Sequence, residues 1–477
     1  MQPESDAASS DLDRLLAEAL AHHQQGRLAE AQSLYTRVLS LAPRHPDALN
    51  LLGVVAAQRG QLVHARDLIE SALAERPGNP EYLFNRAHIL ELAGDGATAQ
   101  AYANVLEAAP DHLPALVNLG NIRLAEDDFD AATELFRRAV EAGPQVSQAH
   151  EGLGFALQRL GQADDAMAAF ERALALDPNS VESAANLSGL LLDTGEPEMA
   201  VEKIERALAL RPDSADLHAN LGIALMSLGR LEPAVAALSR ARELDPRCVR
   251  AISTLGFALA DRGEPQDLER AALLCDYDRH LQSRRIASVP GYRSVTDFNA
   301  LLAERMIGHD TLVQDRPSKT TRRGGQTGDL VKDRDPAVMA LIETIEAVVS
   351  GYLDKLSAGS EDAYFVPPPE RWRLSVWGTV LGSGGHQASH NHPTGLVSGV
   401  YYAKLPKVVT QDGGSQGWIE FGRSPALFNA KAEPDLKMVE PQEGLMLLFP
   451  SYFWHRTIPF ESDEPRVSIA FDVIPEA

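Results

Sequence analysis

Two hydrophobic rhythms divide the chain. Over residues 11–264 apolar positions recur at helical spacing and are punctuated on a fixed beat, with prolines at 43, 77, 110, 144, 178, 212 and 246 standing 34, 33, 34, 34, 34 and 34 residues apart. A small residue keeps the same period at Gly53, Ala87, Gly120, Gly154, Ser188, Gly222 and Gly256. Turn glycines do likewise at 26, 60, 94, 161, 195, 229 and 263, with Asp127 standing in once. Such a period predicts stacked helix pairs. Small residues let paired helices cross closely, while Gly and Pro end them.

Beyond Pro265 the beat fades. A last helix is expected over 268–281, another around 298–306, a polar loop over 317–328 that carries Lys319 to Gly325, and a helix over 336–356. The last has Val338, Leu341, Ile342, Ile345, Val348, Val349 and Leu353 on one stripe, which predicts packing against the outside of a sheet. From Trp372 the pattern shortens to β-type runs at 373–381, 396–405, 417–421, 444–449 and 466–474, separated by Gly- and Pro-bearing turns. The expected class is α+β multidomain: a disordered terminus at 1–10, an all-α solenoid at 11–264, a capping helix and linker at 265–300, and a jelly-roll (double-stranded β-helix) domain with flanking helices at 301–477.

The repeat pattern resembles the tetratricopeptide solenoids, about seven repeats with a partial cap. In a solenoid of that kind the first helix of each pair lines the concave face. Two positions before the small residue stand Asn85, Asn118, Asn186 and Asn220, with Leu51, Gly152 and Thr254 breaking the series. Each amide offers a donor and an acceptor, so these residues are candidates for holding an extended peptide, although asparagine is also simply frequent at this repeat position.

Charge narrows the partners. Of the formal −23, 22 basic against 39 acidic residues in 1–264 account for −17. That balance opposes sequence-independent nucleic-acid binding, which needs Lys and Arg to neutralise phosphates, and suits a basic or mixed-charge protein. The two cysteines, Cys248 and Cys275, are too few for a disulfide framework, so a reduced, cytoplasmic setting is expected. Residues 1–10 show no secretory signal and no run of eighteen uninterrupted apolar residues occurs, so no membrane association is expected.

The candidate chemistry lies in Gly384 to Pro393, which holds His386, His390 and His392 and feeds the apolar run at 396–405. In an extended chain His390 and His392 project from one face and can hold one cation together. An isolated pair of this kind is more often a solvated loop than a ligand pair. Downstream, however, an apolar strand and turn lead to His455, and eleven residues later Arg466 and Ser468 share a strand face. An arginine buried beside a serine needs an anionic partner, which a carboxylate ligand would supply.

Four motifs in this order, His390-Asn391-His392-Pro393, Ser398-Gly399-Val400-Tyr401-Tyr402, Leu448-Phe449-Pro450-Ser451 and Arg466-Val467-Ser468-Ile469-Ala470-Phe471, resemble the iron(II)- and 2-oxoglutarate-dependent oxygenases. More narrowly they resemble the bacterial oxygenases that follow tetratricopeptide repeats. The resemblance implies ferrous iron on His390, His392 and His455, 2-oxoglutarate on Arg466 and Ser468, and no catalytic side chain beyond the metal ligands. It also implies decarboxylation of 2-oxoglutarate to succinate coupled to hydroxylation of a C–H bond, here expected on a protein or peptide bound by the repeats.

One departure stands out. Where the superfamily usually has H-x-D, this chain has His392, which removes a negative charge and brings zinc or copper into competition with iron. His386 is the second candidate for a ligand place. Asp472 shares strand parity with Arg466, but six residues along a strand span about 20 Å, too far for the same ion. Trp377, Tyr401, Tyr402 and Trp454 are expected in the core before any substrate role. Two other readings remain: a peptide-binding scaffold with a silent metal-binding barrel, and a three-histidine cupin-type dioxygenase that does not use 2-oxoglutarate.

Overall fold

The structure, a computed structural model, describes residues 3–315, 320–359, 364–365, 367–411 and 414–476. The chain forms two compact units, Met1–Pro178 and Asn179–Ala477. The first is helical throughout, from Pro3–Gln24 to Ala163–Leu176. Its first helix takes in residues 3–10, expected to be disordered; Met1 and Gln2 lie outside the described residues.

The periodic residues do what their chemistry requires. A Cβ at Gly53 would sit 2.6 Å from Ile69 Cγ1, and one at Gly120 would sit 2.8 Å from Phe136 Cζ, so both crossings need glycine. The turn positions Gly26, Gly60, Gly94 and Gly161 have φ of 72°, 75°, 65° and 77°, and Asp127 takes the same left-handed place at 59°. Aspartate is one of the few side chains that tolerate it. Asn79 caps its helix by accepting from the Glu81 and Tyr82 amides, with Pro80 at the first helical position, a cap contributing about 1 kcal/mol.

The second unit opens with three more helix pairs, among them the helices Val181–Asp193, Ala215–Ser227 and Val249–Arg262. Their turn glycines, Gly195, Gly229 and Gly263, again have positive φ. Among the described residues ten strands follow: β1 (Gln282–Arg285), β2 (Val313–Gln314), β3 (Thr321–Gln326), β4 (Trp372–Gln387), β5 (Val397–Lys404), β6 (Ile419–Phe421), β7 (Lys437–Val439), β8 (Leu445–Pro450), β9 (His455–Thr457) and β10 (Arg466–Pro475). They form an antiparallel sheet in the order β1-β8-β5-β10-β4-β3-β2 and a smaller one in the order β7-β6-β9, the two layers of a jelly roll.

β10 lies at the centre of the large sheet, paired with β4 and β5. Strand alternation sends Val467, Ile469, Phe471 and Val473 to one face, where all four are buried. The helix Val295–Ile307 packs on β4, β5 and β10. Arg466, Ser468 and Ala470 take the opposite face. On the helix side, Gly399 of β5 makes room for Phe471, since a Cβ there would meet Phe471 Cζ at 2.2 Å.

Several elements differ from the expectations. β1 falls inside the segment read as a linker and pairs with β8. The polar loop expected at 317–328 contains β3, paired with β4 from Thr321↔Gln387 to Gln326↔Thr379; residues 316–319 lie outside the described residues. β4 runs on through Gly384 and Gly385 to Gln387 instead of ending at Leu381. The helix Pro336–Gly359 rests against the helix Val295–Ile307, which is itself the layer on the sheet. By length and composition its Pro336–Leu356 stretch is apolar enough to cross a membrane, but Val338, Leu341, Ile345, Val349, Leu353 and Leu356 are buried at helical spacing, the pattern of a core helix.

Candidate metal centre and anion pocket

A cavity, open at its mouth, lies between the large sheet and the small one. The loop after β4 carries His390 and His392, and β9 begins at His455. Backbone pairing locks the two together: His390 N donates to His455 O at 3.0 Å, His455 N returns to His390 O at 2.9 Å, and His392 N donates to Ser451 O at 3.0 Å. One ring nitrogen from each of the three histidines lies within 4.8 Å of the other two.

The remaining ring nitrogens decide which atoms face a cation. His390 Nδ1 meets Ala388 O at 2.8 Å, His455 Nδ1 meets Phe453 O at 3.0 Å, and His392 Nδ1 meets Asp472 Oδ2 at 2.9 Å. Carbonyls and carboxylates only accept, so each Nδ1 carries a proton, and in a neutral ring that leaves the Nε2 lone pair for a metal. Burial, reinforced by the neighbouring His392, lowers His390 to about 3, and burial pushes His455 well below its usual value. Both are therefore held as neutral imidazoles. Phe449 meets the His455 ring edge-on at 4.8 Å, and Trp377 stacks on His392 at 5.7 Å, walling the cluster with apolar surface.

Beside this cluster the cavity is lined by Arg466, Ser468 and Tyr402. Arg466 is 2% exposed. Its guanidinium receives only weak company: it donates to Ser468 Oγ at 3.3 Å and lies 5.1 Å from the centroid of the Tyr402 ring. Arg466 Nε and Tyr402 Oη have no hydrogen-bond partner among the described residues. Burial lowers the Arg466 pKa and raises that of Tyr402 to about 12, yet an arginine stays charged in a protein. A buried cation with open donors is a receptor for a carboxylate. These residues, with the three Nε2 atoms, fit ferrous iron and 2-oxoglutarate as a pair.

Sequence parity left open which tyrosine of β5 faces inward. Tyr402 lines the cavity, whereas Tyr401 turns to the helix layer and donates to Asn299 Oδ1 at 2.6 Å. Trp377 also lines the cavity. Trp454 does not, and it packs edge-on against Phe428 at 5.5 Å. His386 sits within β4 opposite Arg322, with Nδ1 3.2 Å from Gly384 O, and is not brought to the cluster.

Sequence reasoning missed Asp472 as a partner of the site. It lies outside the three-histidine cluster, but its Oδ2 accepts from His392 and its Oδ1 accepts from Ser398 Oγ at 2.6 Å. Its carboxylate thus supplies, one residue removed, the negative charge that an H-x-D motif would place on the metal. The signal lay in its parity with Arg466, discarded on distance because only direct ligation was considered. Asp472→Asn should keep the fold and weaken cobalt(II) binding about tenfold, the low end for a residue that orients a ligand histidine. An isotherm matching wild type would show that the charge is not felt at the metal.

The asparagine series is largely engaged within the repeats. Asn85 Nδ2 donates to Asn50 Oδ1 at 3.0 Å, and Asn118 Nδ2 donates to Tyr102 Oη at 2.8 Å. Asn220, 2% exposed, donates to Ala185 O at 3.4 Å and accepts from Arg250 at 3.0 Å. Asn186 lies half-buried on the helix Val181–Asp193.

Helix pairs on a 34-residue beat and a jelly roll with a three-histidine cluster beside an anion pocket define a repeat protein joined to an oxygenase fold. Comparison agrees. Residues 375–472 match the family described as "Putative 2OG-Fe(II) oxygenase", and residues 16–80, 84–147, 117–181 and 191–256 match tetratricopeptide repeat families. The chain is a tetratricopeptide-repeat protein with a C-terminal 2OG-Fe(II) oxygenase domain, a family whose cofactors are Fe(II) and 2-oxoglutarate. Among solved structures it is similar to YrrB, described as a TPR protein with an unusual peptide-binding site (22% identity, TM-score 0.36, 39% of this chain and 96% of that one). It is also similar to pilF of Pseudomonas aeruginosa (20%, 0.39, 43% and 94%) and to the C-terminal part of a TPR repeat-containing protein from Cytophaga hutchinsonii (16%, 0.41, 50% and 99%).

Proposed function

We propose that this protein hydroxylates a protein or peptide captured by its repeats, using His390, His392 and His455 to hold ferrous iron and Arg466, Ser468 and Tyr402 to hold 2-oxoglutarate. When bound, iron and 2-oxoglutarate would let dioxygen serve as the oxidant: one of its oxygen atoms would enter succinate as 2-oxoglutarate loses carbon dioxide, and the other would be inserted into a substrate C–H bond. The chain's own residues bind, orient and exclude water. Arg466 fixes the distal carboxylate and thereby the direction in which the cosubstrate lies. Asp472 holds the His392 proton on Nδ1, and the Phe449 and Trp377 rings keep the site dry.

The observation that carries this reading is the buried guanidinium of Arg466 beside the histidine cluster, which meets Ser468 and Tyr402 but no carboxylate among the described residues. A silent barrel has no use for an unpaired internal cation, which costs several kcal/mol when no anion meets it. For the substrate, support comes from the repeats, an architecture that typically binds polypeptides. Asn220 is committed, so within the first unit Asn85 and Asn118 are the better peptide contacts; each retains further hydrogen-bonding positions.

The test uses the iron-loaded full chain with 2-oxoglutarate and a proteome-derived peptide mixture, read by mass spectrometry for the gain of one oxygen atom. A chain lacking residues 1–178 should release succinate without substrate as wild type does, yet modify far fewer peptides. Equal modification by the shortened chain would remove the repeats of the first unit as a substrate arm.

A further inference from the structure

Both arms of the histidine cluster lean on one helix of the last repeat. Asn391 stands between His390 and His392, and its Nδ2 donates to Ser253 Oγ at 2.9 Å. Trp454 immediately precedes His455, and its indole meets Phe428 edge-on at 5.5 Å and 85°. Phe428 in turn lies 5.9 Å from Phe257. Ser253 and Phe257 are four residues apart in the helix Val249–Arg262 and so occupy one face.

That face is itself held firmly. Ser253 is buried and donates its own proton to Arg250 O at 3.2 Å, leaving its lone pairs to Asn391. The segment bearing Phe428 is tied to the preceding helix pair, where Ser227 Oγ donates to Leu427 O at 2.7 Å. The loop that carries the ligand pair is directed by its backbone pairing, by Ser389 Oγ donating to Arg423 O at 2.8 Å and by Asn391. The Asn391–Ser253 bond fastens the residue that stands between the two imidazoles, so its loss would loosen the segment that carries both.

We propose that the Ser253 and Phe257 face of this helix is a positioning element for the metal centre, through Asn391 on one arm and through Phe428 and Trp454 on the other. The inference rests on the three histidines being the metal ligands. It makes the last repeat part of the metal site, so that the repeat array is more than a detachable substrate arm. Residues that orient ligands typically change metal affinity 10 to 100-fold, because a binding constellation tolerates misplacement of only about 0.5 Å.

The test is cobalt(II) titration of the full chain, followed by the metal's visible absorption, with thermal unfolding recorded alongside. Ser253→Ala and Asn391→Ala should each weaken cobalt binding about tenfold and alter the absorption bands, and the double variant should lose no more than either alone. Ser253→Thr, which keeps the hydroxyl, should restore wild-type behaviour. Asp261→Ala is the control for docking: Asp261 accepts from the Lys431 and Ala432 amides at 2.7 to 3.0 Å, and neither residue adjoins a ligand. Its cobalt affinity should match wild type. Unchanged binding in Ser253→Ala, a threonine variant as weak as the alanine one, or an equal loss in Asp261→Ala would overturn the positioning role while leaving the histidine site standing. A wild-type chain that takes up no cobalt would remove the histidine site, and the inference with it.

Discussion

Arg466→Ala should weaken 2-oxoglutarate binding by a few hundredfold or more while leaving metal affinity nearly unchanged. The guanidinium is almost fully buried, carries an open Nε, and lies beside Ser468 and Tyr402 in a cavity lined by no carboxylate among the described residues. Truncation leaves the bound carboxylate desolvated without its counter-charge, a loss of about 3 to 5 kcal/mol. At about 1.4 kcal/mol per decade that exceeds a hundredfold. Arg466→Lys should fall between, because an ammonium keeps the charge and loses the planar fork. Titrating 2-oxoglutarate into wild type and both variants, each loaded with the same metal, measures this. Unchanged binding in the alanine variant would remove the cosubstrate assignment and favour a three-histidine dioxygenase that works without 2-oxoglutarate.

His455→Ala should abolish metal binding, whereas His386→Ala should keep it within about tenfold of wild type. His455 is buried, paired through its backbone to His390, and committed at Nδ1 to Phe453 O, and its loss leaves two of the three clustered nitrogens. His386 lies in β4, outside the cluster. Cobalt(II) or iron(II) titration of the two variants separates them. Comparable severe losses would mean that the ligand set includes His386.

The repeats were legible because their signal is local and redundant: seven prolines on one beat, and glycines whose backbone angles the turns demand. The strands that carry the histidines and Arg466 were legible for a similar reason, since their apolar alternation is strong. What escaped notice is held by partners far away in sequence. β1 is four polar residues with three exposed, and becomes a strand only because β8 offers an edge. β3 reads as a loop from Thr-Arg-Arg-Gly-Gly-Gln, yet it is extended by pairing with β4. Asp472 meets His392 across 80 residues, and Ser253 meets Asn391 across 138, contacts that no spacing rule reveals. Strand parity puts Tyr402 with Ser398 and Val400 and Tyr401 with Gly399 without saying which set faces inward, and the contact of Tyr401 with Asn299 in the helix layer decides it.

The most direct test of the central claim is succinate formation. The full chain is loaded without oxygen with iron(II) and 2-oxoglutarate, dioxygen is admitted, and succinate is quantified for wild type, His392→Ala and Arg466→Ala. Wild type is predicted to form succinate only when both iron and 2-oxoglutarate are supplied, and both variants are predicted to form little or none. A wild-type chain that binds iron at its histidines yet forms no succinate, or an Arg466→Ala chain that forms as much as wild type, would contradict the reading of this site as a 2-oxoglutarate oxygenase centre.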